Sequence, residues 1–316
     1  MTAANDARAI EQILARERLA IDLCADGRTS FLSHVGATRK LVPGPWIAHR
    51  DLIYALALTN LSVNQRSSLA HAVRVEHGRE FGVGRCALVT SASGLPFGGS
   101  NLLVRPKISG PVFLYTYALA ANAAPTPCEW MLLRAQPEWT RGDEMRALGV
   151  RGIDTLIGLG GDVLILVPTV VAAKQIASLV KGRIALMTHP RFSPLIFSAE
   201  EQPSRDANLI VWPHDGLTSP LLHDREIRTI VVVDGDHDLL DEVGRWSQGR
   251  DKLEVVTAAC PGRIGRVALK KFWEACERPR ILLRGTPREV RLGTSTLEEF
   301  GARVTPRAEG TQLGLF

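Results

Sequence analysis

No stretch of eighteen or more apolar residues occurs in this chain of 316 residues, so the sequence predicts no membrane-spanning helix. Its first residues, Met1 to Asp6, carry no basic region leading into an apolar segment, and no secretion signal is expected. Cysteine is scarce, odd in number and scattered (Cys24, Cys86, Cys128, Cys260, Cys276), with no metal-knuckle spacing. That usage suits free thiols in a reducing cytoplasm. The histidines show no ligand spacing, no Ser/His/Asp triad can be read from them, and no Gly-Lys-Ser/Thr phosphate loop is present.

What is present is the composition of a globular protein, 45% apolar and 22% charged, with a core large enough for one large or two ordinary domains. The net charge of +5 and pI near 9.1 are compatible with nucleic acid as a partner. Residues 6–24 read as an amphipathic helix, with Ile10, Ile13, Leu14, Ile21 and Cys24 on one side. Two more helices are expected at about 48–59 and 65–75. Short strands are expected at 86–90, 101–104 and 112–117, separated by glycine and proline. Gly94 to Ser100 reads as a turn, since it lacks the Lys-Ser/Thr ending and following helix of a phosphate cradle. Tyr115 and Tyr117, near Arg105 and Lys107, suit either base stacking or ordinary cross-strand packing.

Beyond Ala121, apolar runs (130–135, 162–167, 208–212, 228–233, 253–257, 281–283) alternate with helical stretches (143–157, 170–180, 239–247, 263–276). Runs apolar on both faces, such as Val163 to Val167 and Ile230 to Val233, indicate an α/β fold, a parallel sheet flanked by helices. The expected plan is a smaller mixed α+β region at 1–124, a motor-like domain at 125–300 and a flexible tail at 301–316.

The order of segments after these strands resembles the first RecA-like motor domain of superfamily 2 helicases, in particular the primosomal replication-restart helicase. The segments concerned are Val163 to Thr169, Leu209 to Leu221, Ile230 to Asp238 and Leu282 to Pro287. The resemblance places Thr169 on a DNA strand and a nucleotide site at Thr140, Arg141, Gly142, Asp143, Asp234 and His237. The departures argue against catalysis. Where the phosphate loop belongs, Gln136-Pro137-Glu138-Trp139-Thr140 has a proline without an amide proton, a glutamate that repels phosphate and no lysine. Asp234 remains to hold a magnesium-bound water, but Gly235 replaces the glutamate that polarises the attacking water. The expectation is a motor fold that hydrolyses no ATP and needs no cofactor. ATP and magnesium enter only if the chain is instead an active, divergent helicase or ATPase.

The same residues fit two enzyme classes besides. Val233 to His237 also resembles a segment of class I S-adenosylmethionine-dependent methyltransferases, although the glycine stretch 157–161 precedes a strand where the cofactor loop should follow one. Asp234, Asp236, His237 and Asp238 suit either a metal site for nuclease chemistry or a solvated acidic cap on the next helix. Further on, Arg263, Arg266, Lys270 and Lys271 form a basic helical stretch open to phosphate contact.

The last residues are the most specific. Gln312-Leu313-Gly314-Leu315-Phe316 follows a polar stretch and resembles the short peptide by which bacterial polymerases and repair factors hold the replicative sliding clamp. The resemblance gives Gln312 the pocket rim and Leu313, Leu315 and Phe316 the apolar pockets. Four specified residues at one defined place arise by chance in roughly one chain in ten thousand. The expected partners are the clamp, DNA and a polymerase or repair protein, in a cytoplasmic, nucleoid-associated setting with no membrane. A docked last strand is the competing reading of the tail.

Overall fold

The computed structural model describes residues 3–22, 27–35, 43–59, 61–135, 147–198, 201, 204, 206–235, 237–248, 253–262 and 264–308. The chain forms two compact units. One joins 1–142 to 264–316, and the other is the intervening 143–263. The expected division near 124 therefore does not separate the compact units.

The first unit opens with helix α1 (Ala3–Arg16), whose Ala7, Ile10, Ile13 and Leu14 are buried. The helix does not continue to 24 as expected. Arg18 takes a left-handed backbone (φ 52°), and Leu19-Ala20-Ile21, buried throughout, become strand β1 (Leu19–Ile21). A three-residue apolar run fits both a helix face and a doubly covered strand, and tertiary burial selects the strand. β1, β2 (Thr29–Leu32), β3 (Trp46–His49) and β4 (Val73–Val75) form a parallel four-stranded sheet in that order. Between β3 and β4 lie α2 (Arg50–Ala57) and α3 (Val63–Ala70). Ser62 and Gln65 form a reciprocal capping box at the start of α3, a device worth about 1 kcal/mol.

Next come β5 (Glu80–Val83), β6 (Cys86–Ala92), β7 (Ser100–Pro106), β8 (Phe113–Thr116) and β9 (Trp130–Arg134). The 94–100 segment is the turn between β6 and β7, with Gly94, Phe97 and Gly98 at positive φ. The second unit then supplies α4 (Val150–Gly158), β10 (Asp162–Val167), α5 (Val170–Val180), β11 (Leu186–Thr188), α6 (Ser193–Ile196), β12 (Leu209–Pro213), β13 (Ile227–Val233), α7 (His237–Ser247) and β14 (Glu254–Ala258). The chain returns to the first unit with α8 (Arg266–Ala275), β15 (Arg280–Gly285), α9 (Pro287–Glu298) and β16 (Val304–Ala308).

The second unit is a parallel sheet ordered β11-β12-β10-β13-β14. Its central strand β10 is buried at every residue, and its side chains alternate between two cores. Val163, Ile165 and Val167 pack with Ile153 of α4 and Ala173 and Ile176 of α5. Leu164 and Leu166 pack with Trp212 and with Leu239 and Val243 of α7. Helices therefore cover both faces, as the doubly apolar runs require. An α/β architecture of parallel sheets flanked by helices, with a mixed N-terminal region, is what the sequence pattern predicted.

Sheet membership differs from the expectation. β9 and β15, assigned by the resemblance to the motor sheet, lie instead in a seven-stranded sheet of the first unit, ordered β16-β15-β9-β8-β7-β6-β5. There β9 pairs in parallel with both β8 and β15. One face packs on α1 through Leu132 and Leu282, and the other packs on α8 and α9 through Met131, Leu133, Ile281 and Leu283. Alternation along a chain orders the strands in sequence but does not decide which ladders they join. Residues 304–308, expected in a flexible tail, form β16 beside β15. Backbone pairing compensates for their low apolar content.

Candidate functional site

Ligands of parallel α/β sheets sit outside the carboxyl ends of the strands. In the first unit that edge carries a connected polar cluster. Asp22 follows β1 directly, in a left-handed backbone conformation (φ 55°), and its amide donates to the Phe31 carbonyl at 2.8 Å. Its side chain, 7% exposed, accepts from the Ser33 amide at 2.6 Å, from the Ser33 hydroxyl, and from the Tyr115 hydroxyl at 2.7 Å. His34 Nδ1 stands 3.6 Å from the same carboxylate and 2.9 Å from Ser33 Oγ. Burial alone would raise the Asp22 pKa, but His34 and the Ser33 donors outweigh it and hold the group below its usual value. Burial and the Asp22 charge push the Tyr115 phenol well up, so it stays protonated and donates.

The cluster extends outward by stacking. The His34 ring lies 3.8 Å from that of Tyr117, nearly parallel, and the Arg134 guanidinium, at the end of β9, sits 5.2 Å from the Tyr117 centroid. Along the small sheet, the Ser33 carbonyl accepts from the Ser100 amide at 2.9 Å. Ser100 Oγ donates its one proton to the Gly98 carbonyl at 2.8 Å, so His77 Nε2, 2.9 Å away, must be the donor to that oxygen. His77 stacks on His49 at 4.3 Å, and His49 Nδ1 accepts from the Asp51 amide at 3.2 Å. Burial, then His49, lowers the His77 pKa, against a smaller opposing pull from Asp51. Chemically, this is an ionised carboxylate locked by neutral donors beside an aromatic–cationic stack. Ser33 is only 2% exposed and its hydroxyl proton is committed, so it is no nucleophile.

Sequence reasoning misses Asp22, Ser33, His34 and Arg134. Asp22 falls inside the helix expected at 6–24. His34 and His49 have no ligand spacing, although each stands at or just past the end of a strand. Of the two tyrosines, Tyr115 is the Asp22 partner and Tyr117 the stacking residue. Among the described residues no group of three or more His, Cys, Asp or Glu is placed to hold a metal, and no helix is long and apolar enough to cross a membrane.

The carboxyl edge of the second unit is occupied by its own bonds. Asp234, at φ 57°, accepts from the Cys260 amide at 3.2 Å through Oδ1, and its amide donates to the Ala258 carbonyl at 3.0 Å. His214 Nε2 donates to the Val233 carbonyl at 2.9 Å. At 235 a Cβ would overlap Cγ1 of the buried Val232 and come within 3.2 Å of Leu239 Cδ2, so a glutamate there has no room. Thr169 caps α5 by accepting from the Ala172 amide at 3.2 Å, which leaves its exposed hydroxyl proton available to donate. His237 is the first residue of α7.

Of the basic candidates on α8, Lys270 and Lys271 are exposed, while Arg266 pairs with Glu299 and lies 5.7 Å over the Phe300 ring. Arg263, the Thr140–Asp143 segment and the Gln312–Phe316 peptide lie outside the described residues.

No protein-family model matches the chain, and no curated protein does. Among solved structures it is similar to a crystal structure of a protein of unknown function from Enterococcus faecalis V583. The match has a TM-score of 0.55 at 15% identity and covers 90% of this chain and 80% of that one. At that identity the likeness concerns the fold alone.

Proposed function

We propose that this chain is a non-catalytic accessory factor of bacterial DNA replication, repair or damage-induced mutagenesis. It docks on the sliding clamp through Gln312, Leu313, Leu315 and Phe316, and its α/β body contacts DNA or a polymerase. The observation that carries the non-catalytic part is position 235. The glutamate that a motor needs there is absent, and the packing of Val232 and Leu239 leaves no space for its Cβ. The neighbouring Asp234 spends Oδ1 on the Cys260 amide, a structural tie between β13 and the end of β14. The clamp part rests on the tail peptide, whose Gln-Leu-x-Leu-Phe spelling matches the needs of a groove with a polar rim and two apolar pockets. Tethering there raises the effective concentration of the body at the fork, so weak contacts suffice.

Titrating the clamp with the full chain and with a chain lacking residues 312–316 tests this reading. Affinity is expected to fall by about tenfold or more on truncation, since such peptides carry their energy in a few apolar anchors. Unchanged affinity overturns the clamp assignment. ATP turnover with and without DNA tests the other half. Robust hydrolysis that disappears in Asp234→Ala would make the chain an active motor.

A further inference from the structure

At the amino ends of β15 and β16, away from the polar edge that holds Asp22, the first unit has a basic hollow of about 450 Å³. Lys270 of α8, Arg278 between α8 and β15, Arg280 at the start of β15, and Arg303 before β16 line it. Glu274 is the one carboxylate among its described lining residues.

Strand pairing brings these cations together. β15 and β16 run parallel with Ile281 opposite Val304, and the Ile281 amide donates to the Arg303 carbonyl at 2.9 Å. Arg280 and Arg303 therefore stand side by side at adjacent strand starts. Arg278 is delivered by a turn with two successive non-glycine residues in left-handed backbone, Glu277 (φ 67°) and Arg278 (φ 54°), the second pinned by its amide to the Trp273 carbonyl at 3.0 Å. Such conformations cost on the order of 1–3 kcal/mol each and persist where the surroundings hold them.

The charge of Lys270, Arg278 and Arg303 is poorly neutralised from within. Glu274 reaches Arg278 only at 3.8 Å, between side chains that are 38% and 69% exposed, which is a loose surface pair. Arg280 lies 5.6 Å over the Trp130 ring. Among the described residues, neither Lys270 nor Arg303 has an ion-pair or hydrogen-bond partner for its side chain. Like charges lining one hollow repel, and an anion bridging them converts that repulsion into binding. Guanidinium forks match the oxygens of a phosphate.

The surroundings indicate which part of a nucleic acid fits. Trp273 is buried and donates its indole N–H to the Pro279 carbonyl at 2.9 Å, while Phe300 is overlain by Arg266. These rings are engaged by the protein itself and are poor platforms for a base. Across the 278–280 wall the adjoining cavity carries Glu129 and Glu277 beside Arg278 and Arg280, so the hollow is the more basic of the two. We propose that the hollow of Lys270, Arg278, Arg280 and Arg303 binds a short stretch of the DNA phosphodiester backbone, without regard to base sequence. The proposal rests on the proposed function only for DNA as the partner, and it needs no clamp.

The test is fluorescence anisotropy of a labelled DNA oligonucleotide with the full chain, over a series of salt concentrations and without clamp. Lys270→Gln combined with Arg303→Gln should lower affinity on the order of tenfold at low salt and reduce the slope of log affinity against log salt by about one per charge removed. Oligonucleotides of different sequence should be affected alike. Arg183→Gln, which removes an exposed partner of Asp154 in the second unit, should change neither quantity. Wild-type chain that fails to bind at low salt overturns the proposal, as does a double variant of unchanged affinity and slope. So does saturation of the hollow by inorganic phosphate, at matched ionic strength, with the oligonucleotide unbound. The double variant should still bind the clamp normally, so loss of DNA binding and loss of clamp binding remain separate results.

Discussion

The Tyr115 hydroxyl donates to Asp22 at 2.7 Å across a sequence separation of 93 residues. This bond joins the end of β1 in the four-stranded sheet to β8 in the seven-stranded one. The carboxylate it serves also holds Ser33 and faces His34, so one desolvated charge organises the polar edge of the first unit. Removing one donor should therefore be costly. Tyr115→Phe, which keeps the ring, is expected to destabilise the protein by about 1.5–3 kcal/mol, the range for a hydrogen bond to a charged group. Urea unfolding measures it, and a loss indistinguishable from zero would mean that solvent reaches Asp22.

Acid should weaken the same region in two stages. His77 titrates below its ordinary value of 6.5 in the folded protein. The unfolded chain therefore takes up that proton first, so this contribution is complete above pH 6.5 and is lost as pH falls below it. Asp22 is held below its ordinary value of 3.8, so its contribution is present above that value and is lost as pH falls through the lower folded-state value. Stability measured from pH 8 to pH 5 should decline, and His77→Gln should flatten the decline. A variant that follows the wild-type curve would remove His77 from the account.

Position 235 offers a direct test of the proposed non-catalytic role. Gly235→Glu restores the residue type of an active motor, but its Cβ must displace Val232 in the core. The expected result is a protein destabilised by about 1–3 kcal/mol, the usual cost of overpacking, with no gain in ATP turnover. Hydrolysis appearing in that variant would show the fold to be one substitution from activity.

The thiols of Cys128 and Cys276 should be quiet in the native state. Burial, reinforced by Cys276, pushes Cys128 up to about 12, and burial pushes Cys276 up to about 11 despite the Thr126 amide. Thiolate is the reactive form, so at pH 8 both should resist iodoacetamide in the folded protein and react on unfolding. Peptide mapping after timed labelling reads this, and rapid native modification of Cys128 would contradict the burial described.

Local elements with strong patterns were readable from the amino acids alone. The Val163 to Val167 run reads as a strand covered on both faces, and the helix expected at 170–180 matches the observed Val170–Val180 helix. The residues on which the proposed non-catalytic role rests, Pro137 and Gly235, were readable too, since they need no coordinates to be seen. Sheet membership was a matter for tertiary packing, because ladder formation depends on surfaces far apart in the chain. That is why β9 sits between β8 and β15, and why residues 304–308 become a strand. The same holds for the sites. Asp22, Ser33 and Tyr115, like Lys270, Arg280 and Arg303, have no common spacing; the first three meet from strands of two sheets, and the last three from α8 and the starts of β15 and β16.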